Sequence, residues 1–130
     1  MPIETFTDGP RRAFKAEVAA DLAGKEGYVV EMVANKETVQ LFNGGIPIGV
    51  LEQRMQGSED WTVRLLGKGG TLKVKAGGAI ATPAYVKPAN GGKVVAAAQG
   101  NLAIGVKVSP AAAAADGDVI EIVDVFVTMP

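Results

Sequence analysis

The chain has 130 residues, 13 Lys and Arg against 14 Asp and Glu, a formal net charge of −1, and neither His nor Cys. One domain is the default at this length. Without Cys or His there are no disulfides, no thiolate or imidazole catalysis and few ways to hold a transition metal. The near-zero charge gives no electrostatic reason to expect nucleic acid or a membrane as partner. What remains is a hard-cation site, carboxylate chemistry or a protein that works through its surface.

The apolar content indicates a β-rich protein. It amounts to 48% of the residues, yet only seven are aromatic, and 17 Gly and 7 Pro punctuate Val-rich runs. Val suits a pleated surface, and Gly and Pro suit the turns between strands. No stretch is long and apolar enough to span a bilayer, and residues 1–4 lack the pattern of a signal peptide. We therefore expect a soluble protein made in the cytoplasm.

Residues 1–23 differ from the remainder and are expected to form an N-terminal arm. Pro10 could start a helix running from Ala13 to Leu22, which would put Phe14 and Val18 on one face. The alternative is an extended arm that orders on a partner. The sequence leaves both open.

From Gly27 onward the pattern predicts short strands and turns in a β domain covering residues 24–130. A strand that includes Pro47 must begin there or lie at a sheet edge, because proline has no N–H to donate. The alternation in residues 71–75 places Leu72 and Val74 inside and Lys73 and Lys75 outside.

The β domain repeats itself with an offset of 55–57 residues. Val94 takes the place of Val39, the block 100–106 matches 44–50, and 119–122 matches 62–65. We read two similar halves, 24–75 and 78–128. The predicted fold is therefore all-β, a small barrel or sandwich made of two similar half-sheets with an N-terminal arm or short helix.

The motifs that could carry chemistry are better explained as turns. Gly67 to Thr71 lacks the spacing of a phosphate loop, and Asp116 and Asp118 lack the spacing of a calcium loop. Lys93 has no flanks that suggest cofactor attachment, and no serine has a neighbouring base. Trp61 is expected to be a packed strand residue. We expect no catalytic residue, no cofactor and no metal, and thus not an enzyme.

Charge is unevenly distributed along the chain. Residues 1–75 hold 10 basic and 10 acidic side chains, whereas residues 76–130 hold 3 and 4. The second half is therefore either the inner part of the fold or a surface that meets protein. The alanine run from Ala111 to Ala115 is either one helical turn or a smooth contact surface.

Several blocks, in their order and spacing, resemble the capsid cement (head decoration) proteins of tailed bacteriophages and prophages. The similarity covers about residues 14–124, and its blocks are 14–16, 21–30, 47–51, 63–65, 76–80, 105–106 and 112–118. The resemblance implies a non-enzymatic, β-rich virion protein on the capsid exterior, often a trimer, that bridges subunits of the major capsid protein. The chain departs from the pattern in the turn after its first strand pair and in residues 125–130.

We accordingly expect a structural protein that stabilises a phage capsid, with no nucleic acid or membrane partner. The alternatives are a carbohydrate- or host-surface-binding β module and a tail-tube or fibre component. The residues expected to contact the capsid or another partner lie in the arm and in the alanine loop: Phe6, Arg11, Arg12, Phe14, Ala112, Ala113 and Ala114.

Overall fold

The computed structural model describes residues 10–54 and 60–129, and the side chains of residues 53 and 54 are left out of the description. Strands dominate, and the single short helix in this part of the chain has four residues. The elements are β1 Arg11–Ala16, α1 Ala19–Leu22, β2 Val29–Met32, β3 Thr38–Leu41, β4 Pro47–Arg54, β5 Asp60–Leu65, β6 Thr71–Lys75, β7 Tyr85–Pro88, β8 Val94–Ala96, β9 Leu102–Ser109 and β10 Val119–Thr128. The predicted all-β class with a small barrel is confirmed.

The strands form two sheets with the same internal order. The first is a closed barrel with the order β1-β3-β2-β4-β5, and the second has the order β6-β10-β9-β7-β8. Read from β6 in the opposite direction, across the bridge between residues 76 and 94, the second order is β6-β8-β7-β9-β10, which matches the first strand for strand. In the barrel β1 runs parallel to β3, with Ala16 opposite Val39. In the second sheet a parallel bridge joins Ala76, which follows β6, to Val94 of β8. Each strand of β1–β5 thus has its counterpart five strands later.

This equivalence divides the chain between β5 and β6. The sequence-based division at 75/78 placed β6 in the first half and residues 11–16 outside the repeat, whereas in the structure these two strands are counterparts. The matches of Val94 to Val39 and of Gly105 to Gly49 agree with the ladders. In the last block the sequence alignment differs by two residues, because the ladders make Ile122, not Ile120, the counterpart of Val63.

The segment expected to be a helix or an arm contains both a strand, β1, and the short helix α1. β1 pairs antiparallel with β5 over five residues, Arg11 to Lys15. Phe14 is buried in the barrel core, whereas Val18 is 51% exposed, so the two do not share a face. The helix begins only at Ala19. Pairing on both sides has overridden the weak helical preference of this segment.

The predictions from sequence for the start of β4, for the faces of β6 and for Trp61 are confirmed. β4 begins at Pro47. In β6 Leu72 and Val74 are buried, while Lys73 is exposed and Lys75 is only partly covered. Trp61 is buried in the barrel core with Phe14 and Val63. The indole Nε1 of Trp61 has no hydrogen-bond partner among the described residues.

The two sheets share a hydrophobic core. Val29, Val50 and Phe42 of the first barrel pack into the core of the second sheet, beside Val74 and Ile122. The backbones also bond across the junction, from Val29 N–H to Gly92 O (2.7 Å) and from Lys75 N–H to Gly27 O (2.9 Å). The two halves therefore form one packed unit.

A buried acid fixes the turn between β3 and β4. Glu31 accepts hydrogen bonds from the backbone N–H groups of Asn43 (2.7 Å) and Gly45 (2.9 Å) and from Gln40 Nε2 (2.9 Å). Burial by itself would raise the pKa of Glu31, but the bonds from Asn43, Gln40 and Gly45 outweigh burial, and the pKa lies below its ordinary value.

The charge of Glu31 therefore contributes stability that is present above the pKa of the unfolded chain, about 4.3, and is lost as the pH falls through the lower pKa of the folded state. We expect Glu31→Gln to lower the free energy of unfolding by about 1 kcal/mol at pH 7 and to reduce its fall below pH 4.5. Urea unfolding followed by the fluorescence of Trp61 at pH 3–7 measures both. Glu37→Gln, an exposed acid in the preceding turn, is the control, and equal pH dependence in the two variants would contradict the assignment.

Candidate interaction surface

An apolar row crosses the outer face of the second sheet. Tyr85 lies opposite Val106, and Val106 lies opposite Val123, so the three side chains stand side by side on β7, β9 and β10. Tyr85 is 40% exposed, and the two valines are partly exposed. We call these three residues the outer row. Adjacent side chains on one face of a sheet act as a single contact surface.

The equivalent row of the first barrel is buried. There Val29 lies opposite Val50, and Val50 lies opposite Arg64. Val29 and Val50 are 0% and 1% exposed because they pack into the core of the second sheet. This face of the first barrel is therefore an internal contact, whereas the equivalent face of the second sheet, the outer row, is exposed to solvent.

More apolar side chains are exposed on two of these strands, β9 and β10. They are Leu102, Val108, Val119, Phe126 and Val127, between 36% and 51% exposed. In the described part of the first half, the large exposed apolar side chains are Val18 and Ile46, which lie outside the strands. The described strands that expose large apolar side chains therefore all belong to the second sheet.

The few charges of the second half are mostly occupied. Lys107 is fully buried and the side chain of Asp124 is fully covered. Lys93 pairs with Asp116 at 3.0 Å, and this hydrogen bond raises the pKa of Lys93 above its ordinary value. Glu121 accepts a hydrogen bond from Thr71 at 3.1 Å. These five of the seven charged side chains in residues 76–130 are therefore buried or bonded within the molecule.

Lys107 fixes the alanine loop from within. Its ammonium group donates to Pro110 O (2.8 Å), Ala112 O (2.9 Å) and the hydroxyl of Thr82. Three donors thus meet three acceptors, which satisfies a buried ammonium group. The alanine loop is held as a defined shape, and it contains no helix.

The loop exposes only part of the predicted alanine contact. Ala112 and Ala113 are exposed, but Ala114 is 4% exposed and bonds through its N–H to Ile80 O at 2.9 Å. The expectation that Ala114 contacts a partner is therefore corrected: its side chain belongs to the core. Ala112 and Ala113 remain available at the surface.

The predicted contact residues of the arm that the structure describes are likewise partly exposed and partly buried. Phe6 lies outside the described residues. Arg11 is exposed and pairs with Glu52, and Arg12 is exposed with its guanidinium 4.5 Å from the centre of the Phe14 ring. Phe14 is 6% exposed, so its predicted role as a contact residue is corrected to a core residue that Arg12 partly covers.

A cleft of about 590 Å³ separates the two halves on one side. Its lining includes Arg11, Glu26, Glu52, Lys73 and Lys75, a mixture of both signs on solvent-facing strands and loops. Among residues 10–54 and 60–129, no group of three or more acidic side chains is placed to hold a metal ion. No helix in that part of the chain is long and apolar enough to cross a membrane.

The chain was also compared with known proteins. No model of a known protein family matches it, and no curated protein is significantly similar to it.

Proposed function

We propose that this protein is a structural component of a phage virion that binds the outer surface of the capsid and stabilises it by bridging subunits of the major capsid protein. Its interaction surface is centred on the outer row. The sequence resemblance to capsid cement proteins supports the class of protein, and the exposed apolar surface supports binding to a protein partner.

The observation that carries the proposal is that the outer row is exposed, whereas the equivalent row of the first barrel is buried. Val29 and Val50 bury completely against a protein surface in the same molecule. Tyr85, Val106 and Val123 have the same positions in the second sheet, but Tyr85 is 40% exposed and the two valines are partly exposed. An apolar, charge-poor patch that contains an aromatic residue has the composition of an interface core.

Further proposed contacts lie in the alanine loop and in residues 1–23. Ala112 and Ala113, held by Lys107, present a preordered loop that loses little side-chain entropy on binding. Arg11 and Arg12 are exposed on β1, and together with Phe6 they are the remaining proposed contacts. A homotrimer, as the resemblance implies, would repeat this modest patch three times, and linked contacts raise the total affinity without any larger patch.

We expect Tyr85→Lys to weaken binding to purified, expanded shells of the phage that encodes the chain by at least about tenfold, because it places a charge within an apolar contact. Co-sedimentation of the protein with shells that lack it measures this loss. Val18→Lys is the control, since Val18 is an exposed apolar residue of the other half (51% exposed) and its substitution should leave binding unchanged.

The fluorescence of Trp61 reports whether each variant is folded. Equal binding by both variants would contradict the role of the outer row. Failure of the unsubstituted protein to bind shells, or to raise the temperature at which they lose integrity, would contradict the proposed function itself.

A further inference from the structure

The turn that joins the two halves holds an anion from another part of the chain. Three consecutive backbone N–H groups, those of Gly67 (3.0 Å), Lys68 (2.7 Å) and Gly69 (2.9 Å), donate to the carboxylate of Asp124. Gly67 and Gly69 have φ angles of +79° and +84°, which glycine adopts without steric cost. Successive N–H groups that converge in this way form a concave anion-binding site, termed a nest.

Arg64 adds a positive charge to the nest. Its guanidinium lies 3.7 Å from the Asp124 carboxylate, and its side chain is only 6% exposed. It also donates to Leu65 O (2.7 Å) and to Gly69 O. These two bonds orient the guanidinium independently of Asp124. Buried donors that have been positioned in this way are costly to leave without an acceptor.

The donors do not depend on the side chain that they bind. They belong to the backbone of the turn, whereas Asp124 lies on β10, 55 residues from Gly69. A separate backbone bond, from Asp124 N–H to Gly70 O (3.0 Å), holds the turn against β10. Truncating the Asp124 side chain therefore removes the anion and leaves the backbone bond that positions the nest.

The nest is reached from the cleft between the two halves. Arg64 and Thr71 both line this cleft, which has a volume of about 590 Å³. A small anion that enters the cleft therefore lies against the Arg64 side chain, and the positive charge of the guanidinium attracts it.

The geometry also defines the class and the size of the anion. One carboxylate oxygen accepts from Gly67, and the other accepts from Lys68 and Gly69. The nest thus fits two oxygens of one planar group. Replacing Asp124 by Ala removes a carboxylate and leaves a space of that size. Formate consists of the same carbon and oxygen atoms and is the free anion that matches this space.

We propose that the N–H groups of residues 67–69 and the guanidinium of Arg64 form a carboxylate-binding site, which the protein fills with its own Asp124 and which takes formate when that side chain is absent. The Gly-rich segment 67–71 lacks the spacing of a phosphate loop, yet it binds an anion within the molecule and so ties the last strand to the connection between the halves. This inference does not depend on the proposed function.

NMR titration of Asp124→Ala with sodium formate tests binding. We expect the amide signals of Gly67, Lys68 and Gly69 to shift and to reach saturation in this variant. They should stay unchanged in the unsubstituted protein, whose nest is filled. Sodium pivalate carries the same charge on a branched group too large for the space, and it should give no saturable shift. Absence of saturation with formate, or equal shifts with the two salts, would overturn the proposal.

Rescue of folding by formate provides a second measurement. At a formate concentration of about ten times its Kd, the folding equilibrium constant of Asp124→Ala should rise about tenfold, measured by urea unfolding and the fluorescence of Trp61. Asp124→Asn is the matched control, because its amide fills the same space and leaves no room for formate. Equal stabilisation of the two variants would overturn the proposal, as would an unfolded Asp124→Ala variant that does not regain native fluorescence in formate.

Discussion

Asp124→Ala is expected to lower the free energy of unfolding by about 3–5 kcal/mol. The carboxylate of Asp124 accepts from three consecutive backbone N–H groups, those of Gly67 (3.0 Å), Lys68 (2.7 Å) and Gly69 (2.9 Å). It also lies 3.7 Å from the guanidinium of Arg64, and both side chains are buried. The substitution leaves a buried positive charge and three N–H groups without their acceptor.

Urea unfolding followed by the fluorescence of Trp61 measures this loss. Asp116→Ala is the matched control, because Asp116 is also paired with a cation but its side chain is 67% exposed. We expect Asp116→Ala to leave the unfolding midpoint nearly unchanged. Similar midpoints for the two variants would show that the Asp124 network adds little to the stability of the junction between the halves.

The second large effect is expected at two equivalent glycines. A Cβ on Gly105 would lie 2.6 Å from Val123 O and from the Ile122 side chain, and a Cβ on Gly49 would lie 2.6 Å from Arg64 O. Backbone oxygens cannot move away as flexible side chains can. We expect Gly49→Ala and Gly105→Ala each to cost about 3 kcal/mol in the free energy of unfolding.

Gly78→Ala is the control for these two variants. Nothing lies within 4 Å of a Cβ at Gly78, and its φ is not positive, so thermal unfolding should be nearly unchanged by this substitution. A melting temperature close to that of the unsubstituted protein for Gly105→Ala would mean that β9 and β10 separate at little cost.

Sequence patterns predicted the strands whose side chains alternate and the repeat that includes Val39 and Val94. They did not identify β1. Its sequence, from Arg11 to Ala16, has no valine run, and its strand conformation depends on pairing with β3 and β5. Its counterpart β6 reads Thr-Leu-Lys-Val-Lys, so the equivalence is visible in the ladders and not in the residue types.

The candidate site was predicted only in part for a similar reason. The exposed alanines 112 and 113 were identified by the low-complexity run, but nothing in that run distinguishes the buried Ala114. The outer row was missed because Tyr85, Val106 and Val123 are far apart in sequence and meet only through strand register. Lys107 and Asp124 were missed as buried charges, although a lone charge in a valine-rich strand is a signal that could have found them.

The shared strand order is what fusion of two copies of one five-stranded unit would produce. A free unit of this kind would carry two complementary surfaces: an apolar face equivalent to Val29 and Val50, and an open core into which that face packs. Such units would associate head to tail, without the closure that a symmetric pair provides. Joining two of them through the short turn at residues 66–70 makes that contact intramolecular and leaves one apolar face of this kind, the outer row, at the surface.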